Sequence, residues 1–252
     1  MTDEISVTYR KNHVAVVEIC KPPNNFFSTN LISGLADTFE QLDENDDVRV
    51  SVLCSQGKHF CAGADFSGDS NGNDTLGLYT GAVRIFRCRK PIIAAIQGAA
   101  IGGGLGLALV ADFRFASPEA RFSANFSRLG FHQGFGLSVT LPELIGNQAS
   151  NDMFFTGRRV TGEEAAELGL CDRIVPLTEL KNSATLYAQE IAKSAPLAIE
   201  AIRKTLRGDL ADRVERATLH EASEQARLVK TKDWVEGISA SSERRDPKFR
   251  RE

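Results

Sequence analysis

The sequence predicts a mixed α/β fold with a helical carboxyl-terminal part. In the first half of the chain, short Val- and Ile-rich segments alternate with amphipathic helical segments, which is typical of a sheet built from crossover units. After about residue 136 the strand signals fade and helical periodicity dominates. The composition is that of a globular chain, since the 252 residues are 42% hydrophobic and 25% charged. This length permits one large domain or two small ones.

The strand signals are short apolar runs that are bounded by polar residues. The first is the run HVAVVEI, and each later run has a similar length and a high content of Val, Ile, Phe or Ala. We therefore expect strands at 13–19, 48–55, 92–96, 113–117 and 120–126.

The helix signals differ along the chain. Leu31, Leu35, Phe39 and Leu42 recur at spacings of three to four, which predicts an amphipathic helix after positions 28–30. Positions 161–164 have the spacing of a capping box and predict a short helix that ends at Gly169. The polar, glycine-rich stretch 68–77 has no apolar period, so we expect a mobile loop there. Further helices are predicted at 107–111, 177–193, 196–207 and 210–234.

Charge and cysteine content exclude several classes of protein. A net charge of −3 gives no general attraction to nucleic acids or acidic membranes. The five cysteines are odd in number and form no C-x-x-C pair, so neither a disulfide framework nor a zinc ribbon is predicted. The apolar stretch 91–111 is rich in glycine, which favours a buried strand-turn-helix over a membrane span. The amino terminus lacks the pattern of a signal peptide, so a cytoplasmic protein is expected.

The glycine cluster QGAAIGGGLG at 97–106 is the densest unusual feature of the sequence. It follows a predicted strand and leads into the apolar helix at 107–111. Glycines at a helix start allow close approach to the backbone and leave N–H donors free, so the turn can hold a phosphate or an oxyanion. Tight helix packing is the alternative, and spacing alone does not decide between them. The spacings of a dinucleotide-binding loop, a P-loop and a nucleophile elbow are absent.

A second segment, 57–66, also follows a strand and breaks into small residues. Two strand ends of this kind can place two backbone N–H groups on one carbonyl oxygen, which is the arrangement of an oxyanion hole.

Several motifs in order resemble the crotonase superfamily, also called the enoyl-CoA hydratase/isomerase family. They are GKxFCAGAD at 57–65, KPIIAAIxGxAxGGG at 90–104 and Ala-Asp at 111–112, followed by matching segments at 155–158, 164–170 and 236–240. The resemblance covers nearly the whole chain. It implies a spiral of β-β-α turns over residues 1–195 and a helical trimerisation region over 196–252.

The resemblance also implies the ligand and the partners. Substrates would be coenzyme A thioesters, with coenzyme A as part of the substrate and no separate cofactor. The assembly would be a homotrimer or a dimer of trimers, without a nucleic acid or membrane partner. The two oxyanion donors would be the backbone N–H groups of Ala64 and Gly103. The residues expected to bind the substrate are Lys21, Asn24, Asn25, Lys58, Ala62, Asp65, Phe66, Tyr79 and Phe126.

The chain departs from the family pattern at the positions that carry acid–base chemistry. The two glutamates of the family's hydratases fall on Gly106 and Phe126, so we expect a very poor hydratase. The aspartate of the dehalogenases and of the dienoyl-CoA isomerases falls on Gly134. Isomerisation, hydrolysis or decarboxylation of an acyl-CoA remain, and a non-catalytic acyl-CoA-binding protein is the alternative. The sequence shows no basic surface with aromatic residues, so an RNA-binding role is less favoured.

His132 is the remaining acid–base candidate near the expected pocket, because the pKa of histidine lies near neutrality. The alternative is a loop histidine that is bonded to a backbone carbonyl. No spacing of His, Cys, Asp or Glu predicts a metal site.

Overall fold

The computed structural model describes residues 4–65 and 75–252, and the strands in these ranges form two sheets. In chain order the strands are β1 (Ile5–Arg10), β2 (Val14–Ile19), β3 (Val50–Ser55), β4 (Ile92–Ile96), β5 (Ala99–Ile101), β6 (Phe113–Ala116), β7 (Arg121–Ser123), β8 (Val160–Thr161) and β9 (Arg173–Ile174). The larger sheet has the order β1-β2-β3-β4-β6-β9, and the smaller one has the order β5-β7-β8.

Helices cover and connect these strands. They are α1 (Thr29–Asp43), α2 (Thr75–Arg87), α3 (Gly103–Ala108), α4 (Leu137–Thr156), α5 (Gly162–Glu167), α6 (Leu180–Ile191), α7 (Pro196–Arg207), α8 (Leu210–Leu228) and α9 (Lys232–Glu243). Two short 3₁₀ turns, Asn125–Leu129 and Leu177–Glu179, lie between them. Gly146 has non-helical dihedral angles and kinks α4.

The larger sheet is parallel except at its first strand. β1 pairs antiparallel with β2, and β2, β3, β4, β6 and β9 follow in parallel register. β3 and β4 are buried along their whole length, which is why they read as continuous apolar runs. One face of the sheet packs on α6, and the other face packs into the main core with α1, α2 and α3.

The predicted strands at 13–19, 48–55, 92–96 and 113–117 are confirmed as β2, β3, β4 and β6. The predicted strand at 120–126 is confirmed only as β7, because the chain turns into 3₁₀ geometry at Asn125. The predicted helix after position 30 is α1, and the Ser28 side chain caps it by accepting a hydrogen bond from the Leu31 amide. Thr161 caps α5 in the same way, through the amide of Glu164.

Two helix predictions and one loop prediction need correction. The helix predicted at 107–111 begins earlier, at Gly103, and ends at Ala108, because the glycines themselves form its first turn. The helix predicted over 210–234 is two helices, since Thr231 caps a new helix that begins at Lys232. The loop predicted at 68–77 is wrong over 75–77, where α2 begins, and its other residues lie outside the described ranges.

The helices after residue 196 are in contact with the rest of the chain, because α8 packs against α2 and α4 and contributes Val214 to the main core. The domain boundary at residue 195, the trimer and the cytoplasmic location stay predictions. Among the described residues, no helix is both long and apolar enough to span a bilayer.

Candidate functional site

The two segments rich in small residues lie side by side in the structure. The Cys61 amide donates to the Ala99 carbonyl at 2.9 Å, and the Ile101 amide donates to the Cys61 carbonyl at 3.1 Å. This parallel bridge aligns the segment that contains Ala64 with the start of α3. The strand ends that the sequence pattern singled out therefore form one site.

The first turn of α3 presents unpaired amides. Gly102 precedes the helix with φ 55° and ψ −120°, a conformation that favours glycine, and its amide donates to the Ser123 carbonyl at 2.8 Å. Gly103 is the first helical residue, where an amide has no intrahelical acceptor. Within residues 4–65 and 75–252, no protein group accepts a hydrogen bond from the amide of Gly103 or of Ala64.

Phe27 contacts both of the segments that carry these amides. Its backbone pairs with Ala64, and its amide donates to the Gly63 carbonyl at 3.1 Å. Its ring lies against Gly103 and fills the space that a side chain at position 103 would take. The backbone of Ala64 and the Cα of Gly103 therefore both adjoin Phe27.

Three phenylalanine rings surround the start of α3. Besides Phe27, the Phe126 ring lies at Gly102, 3.6 Å from where a Cβ would stand. Phe135 occupies the space next to Gly106, where an added Cβ would lie 2.6 Å from the Phe135 Cβ. The ring centroids of Phe27 and Phe135 are 6.2 Å apart. The positions at which the resemblance places two glutamates are thus occupied by aromatic carbon.

This packing predicts the cost of adding a carboxylate. Gly106→Glu is expected to lower the free energy of unfolding by about 1–3 kcal/mol, because the new side chain must displace the buried Phe135 ring. In a Phe135→Gly background, which removes the ring and also the Cβ that lies 2.6 Å from the added Cβ, the same substitution should cost less. Urea unfolding of the four proteins of this double-mutant cycle measures the difference. An equal cost in both backgrounds would show that Phe135 does not fill the space.

A cleft of about 300 Å³ borders Phe126. Its lining is aromatic and uncharged, and the polar groups on it are hydroxyls and amides. The lining residues are Phe126, Ser127, Phe131, Gln133, Ser138, Pro142, Asn151, Phe154 and Phe155. This cleft can hold an uncharged organic group next to the glycine turn.

His132 lies on the segment that precedes α4, hereafter the 132–138 segment. Its Nδ1 lies 2.8 Å from the carbonyl oxygen of Gln133, and its ring meets the His220 ring edge-to-face at 5.8 Å. This is the loop arrangement that the sequence left open as the alternative to catalysis. The catalytic role of His132 stays a prediction.

Sequence reasoning missed the groups that hold the 132–138 segment in place. Glu221 on α8 is fully buried and accepts hydrogen bonds from the amides of Gly136 at 2.8 Å and Ser138 at 3.0 Å. Gln225 donates to the carbonyl of His132 at 3.0 Å and accepts from the Tyr79 hydroxyl at 2.8 Å. No local pattern marks these side chains, since their partners are far away in the sequence.

Tyr79, predicted to bind the substrate, is buried on α2. Its hydroxyl lies over the Cα of Gly134 and takes the space of a side chain there. Burial raises the pKa of Tyr79 above its usual range, and the nearby charge of Glu221 adds to this effect. The hydroxyl therefore stays protonated and acts as a hydrogen-bond donor.

The residues predicted to contact coenzyme A differ in exposure. Asn25 is fully buried, and its amide donates to the carbonyls of Gln56 and His59 at 2.8 and 2.6 Å, so its side chain holds the turn together. Lys58 and Asp65 are exposed, and Lys21 forms an ion pair with Glu4 at 2.7 Å.

The remaining members of that predicted set are Asn24, Ala62 and Phe66. Asn24 and Ala62 are half-buried and share a hydrogen bond of 2.9 Å, whereas Phe66 lies outside the described residues. In the described part of the chain, no group of three or more His, Cys, Asp or Glu side chains is placed to hold a metal ion.

Comparisons with known proteins agree with one another. The family model described as enoyl-CoA hydratase/isomerase matches residues 9–252. A carnitinyl-CoA dehydratase of Salmonella paratyphi A is 31% identical over 98% of this chain and 98% of its own length. An enoyl-CoA hydratase/isomerase structure from Pseudoalteromonas atlantica T6c covers 98% of this chain and 100% of its own, with a TM-score of 0.88 and 28% identity. DspI of Pseudomonas aeruginosa covers 99% and 97%, with a TM-score of 0.78 and 32% identity. These similarities confirm the predicted crotonase-like α/β fold.

Proposed function

The chain belongs to the enoyl-CoA hydratase/isomerase family of the crotonase superfamily, and from this premise we propose that it acts on a coenzyme A thioester without hydrating it. The observation that carries the proposal is that the amides of Ala64 and Gly103, which both adjoin Phe27, have no hydrogen-bond acceptor in the described part of the chain. Two N–H groups directed at a thioester oxygen stabilise the enolate that forms when charge moves onto that oxygen. The acyl group would lie toward the aromatic cleft beside Phe126.

Hydration and dehydration need a group that moves protons, and the walls of this site offer none at the two expected positions. By its name, the Salmonella relative removes water from carnitinyl-CoA. In this chain the corresponding chemistry would have to work against Gly106 and Phe126, with the Phe135 ring in the space next to Gly106. General acid–base groups contribute roughly 10²–10⁴-fold to a rate. We therefore propose a reaction in which the substrate brings its own leaving group.

Decarboxylation of a 2-carboxyacyl thioester fits this environment best. The bond between the α-carbon and the carboxylate breaks, carbon dioxide leaves, and the electron pair enters the thioester as an enolate. The amides of Ala64 and Gly103 hold the enolate oxygen, and the α-carbon then takes a proton from water. No protein base is needed, and an apolar wall replaces the hydration shell of the substrate carboxylate with carbon.

Isomerisation is the second candidate function, and one observation favours it. His132 is half-buried on the same segment as Phe135, which packs against Gly106, so an imidazole there is the candidate to relay a proton between two carbons of an enolate. Hydrolysis is less favoured, because the three phenylalanine rings offer no base that would activate a water molecule for attack on the thioester.

A panel of acyl-CoAs with product masses read by mass spectrometry tests the proposal. The panel contains 2-carboxyacyl-, 3-enoyl-, 2-enoyl- and saturated acyl-CoAs of several lengths. We expect loss of carbon dioxide from a 2-carboxyacyl-CoA and no addition of water to a 2-enoyl-CoA. A shifted double bond in a 3-enoyl-CoA would favour isomerisation. Tight binding without any product across the panel would favour the non-catalytic acyl-CoA-binding protein.

A further inference from the structure

One segment of the chain carries both a wall of the site and a set of unusual buried contacts. The 132–138 segment runs from the 3₁₀ turn to the start of α4, and it places Phe135 next to Gly106. Phe135 has a positive φ of 64°, a conformation that non-glycine residues adopt only when their surroundings impose it. What imposes it here is therefore relevant to the shape of the site.

Two side chains of α8, one helical turn apart, hold this segment by its backbone. The two carboxylate oxygens of Glu221 accept the amides of Gly136 and Ser138, which are the groups on either side of the start of α4. The amide of Gln225 donates to the carbonyls of His132 and Gln133 at 3.0 and 3.3 Å. Together these contacts fix the backbone before and after Phe135.

A third group completes the arrangement from the other side. The Tyr79 hydroxyl on α2 donates to the Gln225 side chain at 2.8 Å and lies over Gly134. Gly134 lacks a side chain, and Gly136 has a φ of 73° and packs against Val214 of α8. The segment is thus held between α2 and α8 with little freedom to shift.

We infer that Glu221 and Gln225 are positioning residues that hold the 132–138 segment as a wall of the acyl site, because Gln133 and Ser138 of this segment line the cleft beside Phe126. This inference rests on the proposed function, because it concerns the part of the site that meets the acyl group of a thioester. The negative charge of Glu221 is well suited to the task, since it receives two amides at the amino end of a helix. A neutral amide side chain would have to direct its NH₂ group at one of these donors.

The burial of this charge supplies a readout that separates positioning from a simple structural role. Burial raises the pKa of Glu221, although hydrogen bonds from Ser138 and Gly136 and the nearby His132 oppose the shift. Since the folded-state pKa lies above the unfolded one, the ionised form costs folding free energy at neutral pH. As the pH falls through that raised pKa, the folded wild type gains stability relative to a variant without this carboxyl. The hydrogen bonds that Glu221 accepts from the two amides weaken over the same pH range.

The other titratable groups around Glu221 are few. His132 faces it from the 132–138 segment, and Tyr79 faces it from α2. On α8 itself, His220 lies against His132, and the half-buried Glu224 pairs with Arg227 at 2.6 Å and lies near the His132 and His220 rings. Glu224→Gln is the matched control, because it makes the same chemical change on the same helix at a carboxylate whose described hydrogen bonds come from Arg227 and not from the backbone of the segment.

The experiment measures the affinity that the acyl group adds to coenzyme A. Isothermal titration calorimetry gives the Kd of free coenzyme A and of butyryl-CoA, which has no leaving group, for wild type, Glu221→Gln and Glu224→Gln. The proteins are compared by one ratio, the Kd of free coenzyme A divided by the Kd of butyryl-CoA. At neutral pH we expect Glu221→Gln to reduce this ratio by roughly tenfold and to leave the Kd of free coenzyme A unchanged. Glu224→Gln should behave as wild type.

Repeating the titrations at lower pH completes the test. The wild-type ratio should fall toward that of Glu221→Gln, while the difference in unfolding free energy between the two proteins shifts in favour of wild type. If Glu221→Gln does not fold, Gln225→Ala is expected to reduce the same ratio of Kd values. The pH dependence of the wild-type ratio can be measured without any variant.

The outcomes separate this inference from the function on which it rests. Wild-type protein that binds neither ligand would overturn the proposed function and this inference together. Wild-type protein that prefers butyryl-CoA, with the same preference in Glu221→Gln at every pH, would overturn the inference and leave the proposed function standing.

Discussion

The double substitution Phe27→Ala/Gly103→Pro is expected to lower kcat on the turned-over acyl-CoA by about 10²–10³-fold relative to Phe27→Ala alone. Proline has no amide hydrogen, so one of the two donors that we propose for the thioester oxygen is lost. It is tolerated at the first position of a helix, which is where Gly103 stands in α3. The Phe27 ring has to be removed first, because it fills the space that a proline ring at 103 needs.

The comparison with Phe27→Ala isolates the hydrogen bond from the change in packing. Both variants should keep the affinity for free coenzyme A, since the proposed function places only the thioester oxygen at the Gly103 amide. The loss should appear in kcat and in kcat/KM alike, because the interaction strengthens as charge develops on the oxygen. Equal kcat values for the two variants would show that the Gly103 amide is not a donor in the reaction.

The glycine turn at 102–104 shows how much of the candidate site local sequence patterns can predict. The glycines at 102–104 and the small residues at 62–64 each follow a strand, and strand ends that pair in parallel meet at one edge. Each of these two patterns can be recognised within its own segment, and the pairing of the strands is enough to bring the two segments together. The absence of glutamate at Gly106 and Phe126 was equally visible in the sequence.

What replaced the glutamates was not predictable in this way. Phe135 fills the space beside Gly106 only because the 132–138 segment is held by Glu221, and the hydrogen bond between Gly136 and Glu221 joins residues 85 positions apart. A phenylalanine near a glycine-rich segment fits the sequence pattern of a core residue, and Phe135 is buried in the main core. Its role depends on tertiary contacts that carry no local period.

The predicted helix boundaries were wrong for a related reason. The predicted helix over 210–234 has apolar residues at helical spacing on both sides of the true break. The chain leaves α8 at Leu228, and the Thr231 hydroxyl accepts the amide of Trp234 to begin α9. The Trp234 ring then stacks on Phe131 at 4.5 Å, so tertiary packing contributes to the break.

A buried ion cluster joins α7 to the larger sheet, and removing its carboxylate is expected to have a large effect on stability. Asp112 follows α3 and accepts hydrogen bonds from the Nε atoms of Arg203 at 2.9 Å and Arg207 at 3.0 Å. It also accepts the Ile92 amide at the start of β4. The three side chains are 8–17% exposed, so little water screens them. Burial alone would raise the pKa of Asp112, but Arg207 and Arg203 outweigh it and hold that pKa below its usual range.

Asp112→Asn is therefore expected to lower the free energy of unfolding by about 3–5 kcal/mol, because it leaves two buried guanidinium groups without their counter-charge. Arg203 is already incompletely satisfied, since its Nη2 is buried without a partner in the described part of the chain. The depressed pKa of Asp112 sets the pH dependence. Its stabilising contribution is present above the unfolded-state pKa and is lost as the pH falls through the lower folded-state value.

Urea unfolding of Asp112→Asn against Asp209→Asn measures this effect. Asp209 forms an exposed ion pair with Arg213 at 2.8 Å, and removing its charge should cost no more than about 1 kcal/mol. Adding Arg203→Met to Asp112→Asn should recover part of the loss, because it removes one of the two stranded charges and keeps an apolar stem. If Asp112→Asn lost no more stability than Asp209→Asn, the cluster would not be the anchor of α7. A triple variant with Arg207→Met as well should recover further, since the carboxylate matters only while the guanidinium groups that it neutralises remain buried.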